Sequence, residues 1–169
     1  YPCACSRREI GRGPYPGTCR QRVPPPTGRV AWRMRVDGEA VVGMEDVLQG
    51  EYRQDIAAEC GDFVLRRADG VYAYHLAVVV DDAWQGVTEV TRGVDLLDST
   101  PRQVLLQRLL GLPTPRYAHL PVVLDALGDK LSKQTHAPPV GPAAAPLAAW
   151  QALDFLGLAP PAALRGEAC

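Results

Sequence analysis

Long apolar runs are missing from this 169-residue chain. The stretch VYAYHLAVVV at 71–80 ends on Asp81 and Asp82, well short of the roughly 20 residues a helix needs to span a bilayer, so a soluble protein that leaves membranes alone is expected. An initiating methionine is lacking, and so is the apolar segment of a secretory leader. The opening YPCACSRRE reads as the start of a fragment whose upstream part is missing. An excess of charge is absent too. With 18 Lys and Arg against 19 Asp and Glu, the formal net charge is -1, which excludes a globally basic nucleic-acid binder and leaves only local clusters. Arg7, Arg8, Arg12, Arg20 and Arg22 form such a cluster, read either as a solvated face or as an RNA contact. Histidine is scarce: His75, His119 and His136 are the only three, all far from the cysteine-rich start. The cysteines number five, an odd count that suits no closed disulfide framework. They favour a reducing, cytoplasmic setting and a metal.

What is present suffices for one core, since 47% of the residues are hydrophobic. VPPPTG at 23–28 marks a boundary, because its prolines can join neither a helix interior nor a ladder. In GRVAWRMRV, Val30, Trp32, Met34 and Val36 alternate with Ala31, Arg33 and Arg35, which predicts a half-buried strand. DFVLRR, the turn ADG at 68–70 and VYAYHLAVVVDD predict a hairpin. Its second arm, apolar throughout Leu76 to Val80, reads as a central strand buried on both faces. STPRQVLLQRLLGL at 99–112 carries helix signals: a Ser or Thr N-cap, Pro101 in the first turn and Gly111 at the end. HLPVVLD at 119–125 predicts another buried strand, and PLAAWQALDFLGL a final amphipathic helix. The class is α/β.

Cys3 and Cys5 can place two thiolates on one cation, and Cys19 supplies a third after the GPYPG turn. Zinc wants a fourth donor. With no histidine near, Tyr15, water or a residue upstream of the chain stand open. Cys60 reads as a packed thiol and Cys169 as incidental. In GDKLSKQTH at 128–136, Lys130 and Lys133 flank Leu131 and Ser132. That pattern fits a solvated loop or a phosphate site. Tyr74 alone reads as a core aromatic, and Arg92 alone as a surface charge.

GDFVLRRADGVYAYHLAVVVDDAWQGVTEVTRGVDLLDSTPRQ followed by YAHLPVVLDALGDKLSKQTHAP resembles the catalytic core of glutamyl-type class I aminoacyl-tRNA synthetases. Within that family it is most similar to the truncated paralogues, the glutamyl-Q tRNA(Asp) synthetases, over most of residues 1–140. The resemblance implies part of a Rossmann-type catalytic domain with a small zinc-bearing insertion. Residues 1–28 would form the zinc module and linker and 29–60 a connective, acceptor-like insertion. Residues 61–140 would form the C-terminal half of the catalytic domain, and 141–169 a helix and tail. KLSKQ would be the lysine-serine-lysine loop that binds ATP, with Mg2+, through Lys130, Ser132 and Lys133. Lys133 would stabilise the leaving pyrophosphate as glutamate becomes glutamyl-adenylate. Tyr74 and Arg92 match positions that contact L-glutamate, and Cys3, Cys5, Tyr15 and Cys19 match the family's zinc ligands.

The family's histidine-glycine ATP signature does not occur in this sequence, so an inactive or severely impaired fragment of a monomeric, cytoplasmic enzyme is expected. Only 35 residues follow Gln134, too few for anticodon-binding domains, and Gln134 stands where full synthetases more often carry a basic residue. Both points favour the paralogue, which attaches glutamate to the queuosine base of tRNA(Asp). A conventional glutamyl-tRNA synthetase charging tRNA(Glu) is one alternative. A non-catalytic zinc-bearing RNA-binding module, using the N-terminal arginines and Trp32, is the other.

Overall fold

The computed structural model describes residues 1–11, 13–38, 40–125, 127–131 and 139–165. Among these lie seven strands: β1 (Pro2–Cys3), β2 (Ala31–Arg33), β3 (Val41–Asp46), β4 (Gly50–Asp55), β5 (Val64–Arg66), β6 (Glu89–Gly93) and β7 (Arg116–Leu120). Five α-helices accompany them: α1 (Arg7–Ile10), α2 (Ile56–Glu59), α3 (Tyr74–Gln85), α4 (Thr100–Leu110) and α5 (Ala145–Phe155). Two compact units result, residues 1–120 and 121–169. The α/β class is confirmed. None of the helices is long and apolar enough to cross a membrane, among the described residues.

The first unit holds two sheets. A small antiparallel one runs β1-β2-β5, and a mixed one runs β4-β3-β7-β6. In the latter, β7 pairs parallel with both β3 and β6, while β3 and β4 form an antiparallel hairpin. Asp46 closes that hairpin, its Oδ1 accepting the amides of Leu48 and Gln49 at 3.0 Å each. This is the side-chain turn that aspartate favours, followed by Gly50 at φ +76. Val36, Val42, Ile56, Phe63, Val79, Val104, Leu106 and Tyr117 form the core between the sheet strands and the pair α3 and α4.

The helix expected at 99–112 is present. Gly111 ends it in the left-handed region at φ +65, while Ser99 makes no side-chain cap because a 3-10 turn, Val94–Ser99, feeds straight into it. The final helix is present as well, with the Trp150 Nε1 donating to Pro160 O at 3.0 Å.

Three expectations fail for identifiable reasons. Leu76 to Val80 is helix, not strand. The hairpin arm stops at the Arg66–Tyr72 bridge, and Tyr74 opens a twelve-residue helix that ends at left-handed Gly86. A short unbroken apolar run has no period to separate the two states, and here Val79 is buried while Val80 is 45% exposed. The strand foreseen at 119–125 instead spans Arg116–Leu120. Pro121 lacks the N–H to continue a ladder, and Val123 and Leu124 are exposed. In β2 the alternation breaks at a register shift between Trp32 and Arg33. Trp32 is consequently exposed and Arg33 buried.

Gly61 joins the N-terminal segment to this body. It sits at φ +63 in a bridge with Tyr15, and an added Cβ would lie 2.7 Å from Tyr15 O and 2.9 Å from Tyr15 N. Both neighbours are backbone, so neither can swing away. Gly61→Ala is expected to cost about 2 to 4 kcal/mol through combined strain and displacement, read as a fall in the urea midpoint. A midpoint equal to that of the parent would rule out the close approach.

Candidate functional site

Two constellations stand out in the first unit. The first gathers Cys3 at the end of β1, Cys5 just beyond it, Tyr15 and Cys19. The three sulfurs lie within 4.8 Å of one another, and none is in a disulfide. Tyr15 Oη lies 3.3 Å from Cys3 Sγ and 3.5 Å from Cys5 Sγ, while Cys5 and Cys19 sulfurs are 3.5 Å apart. The Cys19 amide donates to Tyr15 Oη at 3.0 Å and so fixes the phenol oxygen against the thiols. Zinc–sulfur bonds of about 2.3 Å in a tetrahedron put sulfurs about 3.8 Å apart. The four donors therefore already have the spacing of a tetrahedral cation site.

The cluster's protons are unevenly held, with Cys5 and Tyr15 pushed up and Cys19 drawn down. Burial pushes the Cys19 thiol up, but the Ala4 amide and the bonds with Tyr15, Cys5 and Cys3 bring it down to about 7. Burial and hydrogen bonds to Cys3 and Cys5 hold the Tyr15 phenol well above its ordinary range. The two shifts describe protons shared within one cluster. A cation at its centre would favour the charged form of every donor.

Two arginines tie the cluster to the body. The Arg33 guanidinium lies 3.9 Å over the Tyr15 ring and donates to Asp62 O at 2.8 Å. Arg20 grips the buried Asp62 carboxylate with Nε at 2.6 Å and Nη2 at 2.5 Å. The Val36 amide and the Tyr1 hydroxyl bind the same carboxylate. Arg20 is thus an internal clamp, which removes it from the basic cluster foreseen at the N-terminus. Arg7, Arg8 and Arg22 are exposed, and Arg12 lies outside the described residues.

The second constellation surrounds Arg92 on β6. Its Nε donates to His119 Nε2 at 3.1 Å, and its Nη2 donates to Thr100 Oγ1 at 2.7 Å and to Gln103 Oε1 at 2.8 Å. Its Nη1 donates to Tyr74 Oη at 3.3 Å. Arg92 is therefore no loose surface charge, and Tyr74, 50% exposed at the start of α3, is no core aromatic. Behind Arg92, His119 Nδ1 lies 2.5 Å from Asp46 Oδ2, both side chains fully buried. Burial opposes ionisation of Asp46, but bonds from the His119 ring and from the amides of Gln49, His119 and Leu48 prevail and draw its pKa down to about 2. Sequence reasoning missed Asp46, His119, Thr100 and Gln103. The signal available was a polar residue set among apolar neighbours in HLPVV and VVGMED.

A groove of about 570 Å³ runs past Cys5, Arg7, Arg29, Arg33 and Arg67 to Tyr72 and Tyr74. Its only acid among the described residues, Asp69, is already paired with Arg67 at 2.6 Å. In the second unit, Leu124 and Lys130 form a bridge around Gly128. Ser132 and Lys133 lie outside the described residues.

Residues 25–141 match the family described as tRNA synthetases class I (E and Q), catalytic domain. The chain belongs to this family. It is 57% identical to the glutamyl-Q tRNA(Asp) synthetase of Methylococcus capsulatus over 98% of this chain and 56% of that protein. It is 54% identical to the protein of the same name from Burkholderia mallei, over 100% of this chain and 60% of the relative. This synthetase chain thus spans little more than half the length of those relatives. Among solved structures, a glutamate tRNA ligase from Elizabethkingia meningosepticum, in complex with its amino acid, is similar at 29% identity and a TM-score of 0.54, covering 63% of this chain and 21% of that one. A glutamate-tRNA synthetase from Elizabethkingia anophelis is similar at 29% identity and a TM-score of 0.56, over 68% and 25%.

Proposed function

We propose that this chain forms the C-terminal part of the catalytic domain of an ATP-dependent ligase. The ligase activates glutamate as glutamyl-adenylate and transfers it to the queuosine base of tRNA(Asp). The observation that carries the reading is the Arg92–Tyr74 pair. Arg92 has five N–H donors, and four are committed to His119, Thr100, Gln103 and Tyr74. One Nη1–H is left. Tyr74 Oη accepts from Nη1, so its own proton is free to donate. With their heavy atoms 3.3 Å apart, these two groups offer the paired donors that a substrate carboxylate requires. The grip is shared between the guanidinium and the phenol, because the inner fork of Arg92 is occupied.

The arginine-lined groove suits the phosphates of a tRNA strand approaching Tyr74. Lys130, Ser132 and Lys133 are the residues we assign to ATP and its Mg2+. Lys133 would meet charge developing on the departing pyrophosphate. Zinc on Cys3, Cys5, Tyr15 and Cys19 would be structural, closing one wall of the groove. The names of the relatives support tRNA(Asp) as the acceptor.

The test is ATP–pyrophosphate exchange by the complete protein, without tRNA. Glutamate-dependent exchange that Lys133→Ala lowers on the order of a hundredfold, the scale of one transition-state contact to developing charge, is the expected result. Exchange that appears only with tRNA(Glu) would replace this reading by a conventional glutamyl-tRNA synthetase.

A further inference from the structure

We infer that Asp46 and His119 act as a buried positioning relay that sets the rotation of the Arg92 guanidinium, and with it the affinity for the substrate carboxylate, without touching substrate. This rests on the reading that Arg92 and Tyr74 hold glutamate. The three residues come from the adjacent strands β3, β7 and β6. His119 and Arg92 are direct register partners, and all three sit at the C-terminal ends of their strands, where open α/β sheets place their ligands.

The hydrogen-bond inventory fixes the protonation of the relay. Arg92 is always a donor, so Nε–H requires His119 Nε2 to be an acceptor. The imidazole is then neutral and carries its proton on Nδ1, aimed at Asp46 Oδ2. Thr100 Oγ1, also 3.1 Å from His119 Nε2, accepts from Arg92 and sends its own proton to Leu96 O at 3.0 Å. Asp46 cannot turn, because its Oδ1 also accepts the amides of Leu48, Gln49 and His119. Gln49 Nε2 further pins the His119 carbonyl at 2.7 Å. A rigid carboxylate orients the imidazole, and the imidazole orients the guanidinium.

Stability does not call for such an arrangement. Replacing a buried ionic group by apolar residues of similar volume is often neutral or stabilising. What the relay supplies is direction. It holds the inner edge of Arg92 while the outer Nη1 faces the exposed Tyr74 hydroxyl.

The decisive variant is Asp46→Asn. Its Oδ1 must keep accepting three backbone amides, so its Nδ2–H replaces Oδ2 and donates to His119 Nδ1. The imidazole proton moves to Nε2 and opposes Arg92 Nε–H, the wrong-tautomer fault known when an amide replaces a carboxylate behind histidine. In the exchange assay with the complete protein, KM for glutamate is expected to rise on the order of 10- to 100-fold, the loss of one hydrogen bond to a charged group. KM for ATP is expected to stay put. Long-range ¹⁵N NMR of the unmodified protein at neutral pH should show His119 as the Nδ1–H tautomer.

Arg92→Lys separates the inference from the reading beneath it. If that variant raises KM for glutamate and Asp46→Asn leaves it unchanged, or moves both KM values together, the relay is overturned and the Arg92 assignment stands. If Arg92→Lys also leaves KM for glutamate unchanged, the assignment falls and the relay with it. Should Asp46→Asn fail to fold, the NMR measurement decides: His119 protonated on Nε2 overturns the relay.

Discussion

Arg92→Lys is expected to lower kcat/KM for glutamate by a factor on the order of a thousand, about 4 kcal/mol of lost transition-state binding. The size follows from what lysine cannot do. One ammonium has three donors at the end of a flexible stem and no planar fork. It cannot reach His119 Nε2, Thr100 Oγ1 and Gln103 Oε1 while also offering a proton beside Tyr74. At least two buried acceptors lose their partner, at about 1 to 3 kcal/mol each, and the carboxylate loses its directed donor. Steady-state exchange kinetics would read the effect, with thermal unfolding in parallel to separate binding from folding. A kcat/KM within about threefold of the parent's, where only uniform weak contacts would be at stake, would remove Arg92 from the site.

Cys19→Ala should have the second largest effect. It deletes one of three sulfurs packed within 4.8 Å and leaves the Tyr15 oxygen facing two. Structural zinc contributes folding energy outright, about 10 to 16 kcal/mol in small zinc peptides, and three donors hold it far less well than four. Bound zinc is expected to fall from about one per chain to near zero. Proteolysis should then begin within residues 1–22, and chelator added to the parent should reproduce both effects. Cys60→Ala, at a thiol packed beside the main core and outside the cluster, is the control that should keep its zinc. Full zinc retention by Cys19→Ala would overturn the ligand assignment.

Local features were the ones readable from the chain alone. The cysteine spacing depends on neighbours within twenty positions, and α4 announces itself with Pro101 and Gly111. The Leu76 to Val80 run was misread because hydrophobicity without a period does not select between helix and strand, and the answer depended on where the hairpin ended. The Asp46–His119 contact joins residues 73 positions apart. No spacing rule reaches across that interval, and a histidine inside an apolar strand looks the same whether it packs or orients. The family resemblance pointed to Tyr74 and Arg92, but the Asp46–His119 pair behind Arg92 emerges only when β3, β7 and β6 lie side by side.

Asp62 has a consequence for how the N-terminal segment is kept closed. One carboxylate gathers chain positions 1, 20 and 36, shutting loops of a length that small extracellular domains shut with covalent cross-links. The fastening here is electrostatic, so a reductant has nothing to cut. Burial works against ionisation of Asp62, but the Arg20 and Tyr1 bonds prevail and its pKa is lowered. A lowered folded-state pKa gives stability that is present above the ordinary carboxylate range and is lost as pH falls through the folded value. The latch on this segment is opened by protons.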